Sequence, residues 1–156
     1  MIFCKAPIAG QVKTRLIPSL GEEAACRLHK ALAQKRIADC LTTEITSLAD
    51  VELWCASEVD HPFFETFDVE KELQKGEDLG QRMARAFEYE NKPGILIGTD
   101  CPNLSVDYLR NAIHQLPEYE AIIGPAEDGG YGLIGMNKPT KSVFQDIKWG
   151  SSEVCA

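Results

Sequence analysis

The sequence has no long apolar run, and none of its hydrophobic segments approaches the roughly 20 residues needed to cross a bilayer. Near the amino terminus, Lys5 and Pro7 come before any signal-peptide core could form. These absences argue against a membrane-spanning segment and a secretory leader. We therefore expect a cytoplasmic protein that does not contact a membrane.

Local motifs for metal binding through cysteine and histidine are also missing. No Cys-x-x-Cys pair occurs, and His29, His61 and His114 are far apart, so the spacing of a zinc site is absent. The six cysteines are scattered through a chain long enough to fold without disulfides, and we expect reduced thiols. The Gly-x-Ser-x-Gly elbow of many serine hydrolases is absent as well.

Positive charge is scarce. Sixteen lysine and arginine residues stand against 24 aspartate and glutamate residues, and the formal net charge is -8. This balance would repel a phosphodiester backbone unless a strong basic patch overrode it. We therefore expect no nucleic-acid partner.

Two glycine-containing segments resemble known nucleotide-binding motifs, but neither has all the features that such a site requires. In the first, Val12 stands immediately before Lys13, where a P-loop requires glycine. The second, residues 130–135, fits Gly-x-Gly-x-x-Gly, but it has the pattern of a strand and too little chain follows it for a dinucleotide-binding half. The sequence therefore argues against a P-loop ATPase and a Rossmann cofactor site.

The length of 156 residues is that of one folded domain. Strand-like segments alternate with segments of helical period, which predicts an α/β fold with a mostly parallel sheet. Ser19 and Glu22 form an apparent capping box before a helix whose apolar line would include Ala25, Leu28 and Leu32. Further helices are predicted after residues 76–78 and after 105, and strands at 2–4, 51–56, 94–98, 121–124 and 131–136.

Four polar loops follow the predicted strands or open helices: residues 5–15, 76–82, 98–102 and 124–130. Ligands of open α/β sheets bind outside the carboxyl ends of the strands, where such loops meet. Asp100 comes directly after the strand 94–98, the most clearly buried of the predicted strands. Its carboxylate is our first choice as a ligand of Mg²⁺ or Mn²⁺, and the alternative is that it shapes a turn.

Asp128 has the same two interpretations, because Asp-Gly-Gly is a common turn. On the first loop, Lys13 and Arg15 stand with Lys5 and Gly10, and their charges suit a diphosphate or triphosphate. Taken alone, these cations are also compatible with a solvated surface loop.

The four loops in this order resemble a known bacterial family. The resemblance is carried by Phe3-Cys4-Lys5-Ala6-Pro7 with residues 10–16, and by residues 76–83, 98–102 and 124–131, followed by Leu133-Ile134-Gly135 and Trp149. The family is the glycosyltransferase-like group also called radical-SAM/selenodomain-associated transferases. It is related to the nucleotide-diphospho-sugar transferases.

The resemblance implies a type-A glycosyltransferase fold, a single-domain three-layer α/β sandwich that binds a nucleotide and Mg²⁺ or Mn²⁺. It implies that Asp100 is the metal-binding aspartate and that Asp128 is a second ligand or an acceptor-side group, which makes both candidate catalytic residues. The implied nucleotide- and phosphate-binding residues are Lys5, Gly10, Lys13, Arg15, Gly76, Asp78, Gly80 and Arg82.

The sequence departs from the family pattern in three respects. Glu77 stands where glycine is usual, Gly132 stands where a bulky residue is usual, and both chain ends are shorter than the family norm. We therefore expect residues 1–156 to form one domain that lacks part of the family's carboxyl-terminal region.

The expected function is metal-dependent transfer of a sugar from a nucleotide-diphospho-sugar. One alternative is nucleotidyl transfer from a nucleoside triphosphate, as in the 2-phospholactate guanylyltransferases, which resemble this arrangement. Another is a non-catalytic nucleotide-binding protein. The sequence leaves the oligomeric state open.

Overall fold

A six-stranded sheet forms the middle layer of the protein. The computed structural model describes residues 1–127, 129–145, 147, 149 and 154. The strands are β1 (Ile2–Cys4), β2 (Glu52–Cys55), β3 (Glu70–Leu73), β4 (Gly94–Gly98), β5 (Ala121–Pro125) and β6 (Tyr131–Met136). Their order across the sheet is β3-β2-β1-β4-β6-β5.

Three strand pairings are parallel and two are antiparallel. Strand β1 lies in the centre, with Ile2 opposite Leu53 of β2 on one side and Ile97 of β4 on the other. Strand β3 adds in parallel to β2, whereas β6 runs antiparallel to both β4 and β5. The prediction of a mostly parallel sheet is confirmed.

Helices cover both faces of the sheet, because successive strand side chains point to opposite faces. Ile2 and Cys4 pack into one core with the helices at 22–40 and 106–115, whereas Phe3 packs into a second core with the helix at 79–90. The expected three-layer sandwich is therefore confirmed. The helices are α1 (Ile17–Leu20), α2 (Glu22–Cys40), α3 (Thr43–Thr46), α4 (Pro62–Glu65), α5 (Leu79–Glu90) and α6 (Val106–Gln115).

The helix predicted after the capping box differs from the expected one. Ser19 lies inside the short α1. Gly21 has a φ of 78° and separates α1 from α2, which begins at Glu22. Leu28 is 38% exposed. The face of α2 that packs on the sheet carries Ala25, His29, Ala33, Arg36, Ile37 and Cys40. The apolar pattern was misleading because two polar residues on this face are buried.

Two strands also differ from the sequence expectation. Strand β3 was not predicted, since Glu70-Lys71-Glu72-Leu73 is polar, and it lies at one edge of the sheet where such side chains remain exposed. Strand β5 lies at the opposite edge, and Ile123 is 52% exposed, so this strand is not the buried one that its apolar sequence predicted.

The topology brings the ends of β1 to β4 to one edge of the sheet, here called the carboxyl edge. Because β5 is antiparallel to β6 and β6 to β4, β5 also ends there, and the β5–β6 hairpin lies at the same edge. From β1 the chain continues to β2 and β3 on one side, whereas β4 lies on the other side of β1. The gap between the ends of β1 and β4 is therefore the switch point of the sheet, which is the usual ligand position in such folds. Among the described residues, every helix is too short or too polar to cross a membrane.

Candidate active site at the carboxyl edge

The loops after β1 and β4 meet in an ion pair. The Lys13 Nζ atom lies 3.1 Å from Asp100 Oδ1, although 87 positions separate the two residues in the sequence. The side chain of Asp100 is 61% exposed, whereas that of Lys13 is 19% exposed. The carboxylate therefore faces solvent at the switch point, and the lysine reaches it from a loop that is packed against the protein.

The backbone of Lys13 has a left-handed conformation, with φ 49° and ψ 38°. This conformation costs a non-glycine residue about 1–2 kcal/mol, so the fold has to hold it. Val12, the preceding residue, is 2% exposed and anchors the loop in the protein. A 3-10 turn at Thr14–Leu16 begins directly afterwards. These two neighbours fix the position from which the Lys13 side chain extends.

A buried histidine also faces Asp100. His29, on α2, is 4% exposed, and its Nδ1 atom lies 3.8 Å from Asp100 Oδ1. Its other ring nitrogen, Nε2, lies 3.0 Å from the main-chain carbonyl oxygen of Lys5. The residue therefore bridges the loop after β1 and the carboxylate after β4.

These contacts alter the acidity of Asp100. The hydrogen bond with His29, followed by the contact with Lys13, holds the pKa of the Asp100 carboxyl below its ordinary value, against the opposing effect of burial. A lowered pKa in the folded state means that the contacts stabilise the protein above the ordinary carboxyl pKa. That stabilisation is lost as the pH falls through the lower folded-state value. At neutral pH, Asp100 is a carboxylate.

Arg36, also on α2, holds the turn that follows Asp100. Its guanidinium is 2% exposed; Nη1 donates to the carbonyl oxygen of Leu104, and Nη2 donates to that of Cys101 at 2.6 Å. Asp39 lies 3.4 Å from Nη1 and partly balances the buried charge. His29 and Arg36 are about two helical turns apart and therefore lie on one face of α2. This face positions both loops of the switch point.

We predict that Arg36→Met destabilises the protein by about 1–3 kcal/mol, because the carbonyl oxygens of Cys101 and Leu104 would lose the guanidinium donors that Arg36 supplies. Urea unfolding measures the change. Arg110→Met is the matched control, since Arg110 pairs with Asp107 but its side chain is 42% exposed, and we expect a change within about 0.5 kcal/mol there. Equal losses in both variants would contradict the prediction.

The second predicted block, residues 76–82, forms the loop before α5 and the first turn of that helix. Asp78 caps the helix: its Oδ1 accepts from the Gln81 main-chain N–H at 2.8 Å, and its Oδ2 accepts from Gln81 Nε2 at 3.2 Å. Arg82 Nε donates to the Gly76 carbonyl oxygen at 3.0 Å. Gly76, Asp78 and Arg82 are therefore brought together, and the visible role of Asp78 is structural.

Gly76 allows the loop to approach α5 closely. Its φ is 150°, and a Cβ atom there would lie 2.8 Å from the main-chain nitrogen of Arg82. We predict that Gly76→Ala lowers stability by about 1–3 kcal/mol, as overpacking does, measured as the free energy of unfolding in urea. Gly98→Ala is the control, since no heavy atom lies within 4 Å of the added carbon. Similar values for the two variants would contradict this.

Gly80, in the first turn of α5, lies beneath the indole of Trp149. A Cβ atom on Gly80 would be 2.6 Å from Trp149 Nε1. Tyr131 contacts the same indole edge to face, with ring centroids 6.4 Å apart. The sequence showed Trp149 only through the family resemblance, and the structure shows that it covers the start of α5.

The remaining phosphate-binding candidates lie on the loop after β1. Lys5 and Arg15 are exposed, and Gly10 has a φ of 80°. Within the described part of the chain, neither Lys5 nor Arg15 makes an ion pair with Asp100 through its side chain. Lys13 is therefore the cation of this loop that pairs with Asp100. The side chains of Lys5 and Arg15 are exposed to solvent.

The fourth block, in the β5–β6 hairpin, lies at the same edge, but Asp128 is outside the described residues. The unusual Gly132 has a clear packing reason. Cys101, in the turn after Asp100, fills the space beside Gly132, and any Cβ atom there would overlap Cys101 Sγ and Cβ. The absence of a side chain at Gly132 therefore leaves the space that Cys101 occupies.

Three other cysteine thiols in the core are held in the protonated form by burial. Burial raises the pKa of Cys4 to about 12 and the pKa values of Cys40 and Cys55 to about 11. Cys4, Cys40 and Cys55 are unpaired.

The described residues contain no group of three or more histidine, cysteine, aspartate or glutamate side chains that could hold a metal ion. Asp100 supplies one exposed carboxylate, with His29 Nδ1 beside it. Mg²⁺ is commonly held by one or two carboxylates together with substrate phosphates. The described side chains therefore suit a metal ion that is bound together with phosphates better than a metal ion bound alone.

A cavity of about 470 Å³ lies at the amino ends of β1, β2 and β4, on the side of the sheet away from the carboxyl edge. Its walls are mostly apolar and include Ile45, Leu48, Ile95, Leu109 and Ile113. It lacks the loop cations and the switch-point carboxylate described above. The size of the cavity does not by itself indicate a reaction, so we place the candidate active site at the carboxyl edge.

Comparison with known proteins bears out the fold. A family described as "Uncharacterized protein conserved in bacteria (DUF2064)" matches residues 38–151, which include Asp100 and the second block. The crystal structure of a "putative nucleotide-diphospho-sugar transferase" from Desulfovibrio desulfuricans G20 superposes with a TM-score of 0.85 at 32% sequence identity, over 98% of this chain and 69% of that chain. No curated protein matches the sequence.

Proposed function

We propose, from the premise that this chain belongs to the bacterial family DUF2064, that it is a metal-dependent glycosyltransferase that uses a nucleotide-diphospho-sugar donor. The observation that carries this proposal is the pair of Lys13 and Asp100 at the switch point, 3.1 Å apart. The Desulfovibrio protein, which has the same fold and is described as a nucleotide-diphospho-sugar transferase, supports the proposal.

In the proposed reaction, the bond between the sugar and the diphosphate breaks, and the diphosphate leaves with the electron pair. The acceptor oxygen forms the new bond to the sugar and releases its proton to solvent. A divalent cation, when bound, supplies positive charge opposite the departing diphosphate. Asp100 would hold that cation, because its carboxylate is exposed and oxygen ligands suit Mg²⁺ and Mn²⁺.

The cations of the loop after β1 would contact the phosphates. Lys13 extends from a fixed backbone, and Lys5 and Arg15 are exposed on the same loop. Donors that are already in position stabilise developing negative charge without a reorganisation cost. Gly76, Gly80 and Arg82 would line the nucleotide pocket, and Asp78 would contribute by holding the first turn of α5. Asp128 is proposed as a second carboxylate near the acceptor.

A melting-temperature panel tests this function. Nucleoside diphosphates and nucleotide-diphospho-sugars are added one at a time, each with and without Mg²⁺ or Mn²⁺. A ligand at a hundred times its Kd stabilises the native state by about 2.7 kcal/mol, which should raise Tm by several degrees. We expect at least one nucleotide to raise Tm only when metal is present. No shift with any nucleotide and either metal would contradict the proposal.

Product analysis separates the proposed function from its alternatives. Release of nucleoside diphosphate from a nucleotide-diphospho-sugar, with an acceptor present, indicates glycosyl transfer. Release of pyrophosphate from a nucleoside triphosphate indicates nucleotidyl transfer, as in the 2-phospholactate guanylyltransferases. Binding without either product indicates a nucleotide-binding protein. The cytoplasmic location and the association with radical-SAM or selenodomain proteins stay predictions.

A further inference from the structure

The cavity of about 470 Å³ at the amino ends of β1, β2 and β4 has the features of a ligand site. Its apolar walls include Ile45 of α3, Ile95 of β4, and Leu109 and Ile113 of α6. Ile45 and Leu109 are buried, whereas Ile95 and Ile113 are only partly buried. Small-molecule sites have volumes of about 300–1,000 Å³ and mostly apolar walls with a few polar groups. The size and the lining of this cavity therefore suit a small apolar molecule.

Two largely buried carboxylates also line the cavity. The side chains of Glu52 and Glu90 are 12% and 10% exposed. Glu52 Oε2 accepts a hydrogen bond from Trp54 Nε1 at 3.2 Å. The ammonium of Lys92 lies 2.9 Å from Glu90 Oε2 but 3.9 Å from Glu52 Oε1, which is too far for a hydrogen bond. Lys92 therefore pairs closely with only one of the two carboxylates.

Negative charge is in excess around the cavity. Among the described residues that line it, three carboxylates face two cationic groups: Asp50, Glu52 and Glu90 against Lys92 and the Met1 amino group. The Met1 amino group already donates to the main-chain carbonyl oxygen of Ile95 at 2.9 Å, and burial lowers its pKa. Burial also raises the pKa of Glu52. The ionised form of Glu52 therefore lacks full compensation, and a further cation beside it would supply that compensation.

From the apolar walls and this excess of charge we propose that the cavity binds a small apolar molecule that carries one positively charged amine. The apolar part would lie against Ile45, Ile95 and Ile113, and the ammonium would donate to Glu52 and Glu90. An ammonium has three donors, so it can bond to both carboxylates. A carboxylic acid would add a charge of the same sign, and an alcohol would leave the excess in place. Because the cavity lies away from the switch point, this inference does not depend on the proposed function.

The test uses the wild-type protein with phenylethylamine, phenylbutylamine and phenylhexylamine, each compared with the alcohol and the carboxylic acid of the same length. Calorimetry at neutral pH measures the affinities. We expect at least one amine to bind about tenfold or more tightly than its alcohol, as hydrogen bonds to charged groups contribute, and the acid to bind most weakly. Main-chain amide NMR locates the amine, and we expect shifts at Ile45 and Ile113 but not at Lys13.

Two variants test the role of the carboxylate. Glu52→Gln keeps an oxygen that can accept from Trp54 Nε1 but removes the charge. We expect the preference for the amine over the alcohol to fall about fivefold or more, the difference between a charged and a neutral hydrogen bond. The affinity for the alcohol should stay the same. Glu23→Gln is the matched control, because it changes the net charge equally but lies exposed at the start of α2, outside the cavity wall.

Several outcomes would overturn this inference. Equal affinities for amine and alcohol, or a preference for the acid, would exclude the ligand class. Amide shifts at Lys13 instead of Ile45 and Ile113 would place the amine outside the cavity. Absence of binding by all three amines would exclude the site, and shifts of the same amides with protein concentration alone would then show that a second copy of the chain covers it. The nucleotide panel tests the proposed function separately from each of these outcomes.

Discussion

Replacing Asp100 with asparagine is expected to remove metal-dependent nucleotide binding and to leave the fold intact. Asparagine has the same shape but no charge, so the carboxylate that pairs with Lys13 at the switch point is lost. We expect the affinity for nucleoside diphosphate in the presence of Mn²⁺ to fall at least about a hundredfold, or about 2.8 kcal/mol. Isothermal titration calorimetry with and without Mn²⁺ measures it.

The same prediction also gives the direction in which the affinity of Asp100→Asn for nucleoside diphosphate changes when no metal is present. In the wild-type protein Lys13 is paired with Asp100. In Asp100→Asn the ammonium is released from that pair and is available to phosphate. The affinity for nucleoside diphosphate without metal should therefore stay the same or rise. A fall in affinity both with and without metal would show instead that Asp100 acts by shaping its turn.

Asp50→Asn is the matched control for this experiment. Asp50 also pairs with a lysine, Lys92, at 3.9 Å, and its side chain is 91% exposed. It lies before β2, at the amino end of the strands and thus away from the switch point. Its replacement should change neither the nucleotide affinity nor the effect of Mn²⁺.

The sequence was sufficient for the parts of the fold that depend on local pattern. The apolar run of β4 and the helix after residue 105 were both predicted. Ser105 caps that helix, since its side chain accepts from the Tyr108 N–H at 3.1 Å. The meeting of loops at the carboxyl edge followed from the α/β alternation, because parallel strands end together. This reasoning placed Asp100 correctly after a central strand.

The face of α2 was not predictable in the same way. Helical period arguments count apolar residues, and they selected Leu28, which is 38% exposed. The actual buried face includes His29 and Arg36, of which His29 Nε2 and Arg36 Nη1 and Nη2 bond to main-chain carbonyls of Lys5, Leu104 and Cys101. These partners are far away in the sequence, so no local signal shows that the two polar residues are buried.

The pairing of Lys13 with Asp100 required the tertiary structure for a related reason. The sequence put three cations on one loop and gave no ground for choosing among them. The choice depends on the left-handed backbone at Lys13 and on the anchoring of Val12, which is 2% exposed. A left-handed conformation at lysine is not suggested by its residue type, which is why the sequence did not predict it.

Lys13→Met is expected to shift two affinities in opposite directions. The methionine side chain keeps the packing of the lysine stem, which matters because the Lys13 side chain is 19% exposed. Loss of the ammonium removes a charged hydrogen bond to phosphate, worth about 1.5–3 kcal/mol, so the affinity for nucleoside diphosphate should fall roughly 10- to 150-fold. The affinity for the parent nucleoside should not change.

The affinity for Mn²⁺ alone should rise in the same variant, because Lys13 no longer competes for the Asp100 carboxylate. Calorimetry with Mn²⁺, nucleoside and nucleoside diphosphate measures the three values on one protein. Lys92→Met is the control, since Lys92 pairs with Asp50 and Glu90 away from the switch point. A loss of affinity for nucleoside as large as that for nucleoside diphosphate would show that Lys13 supports the loop rather than the phosphates. A weaker affinity for Mn²⁺ would show that the ammonium does not occupy the cation position.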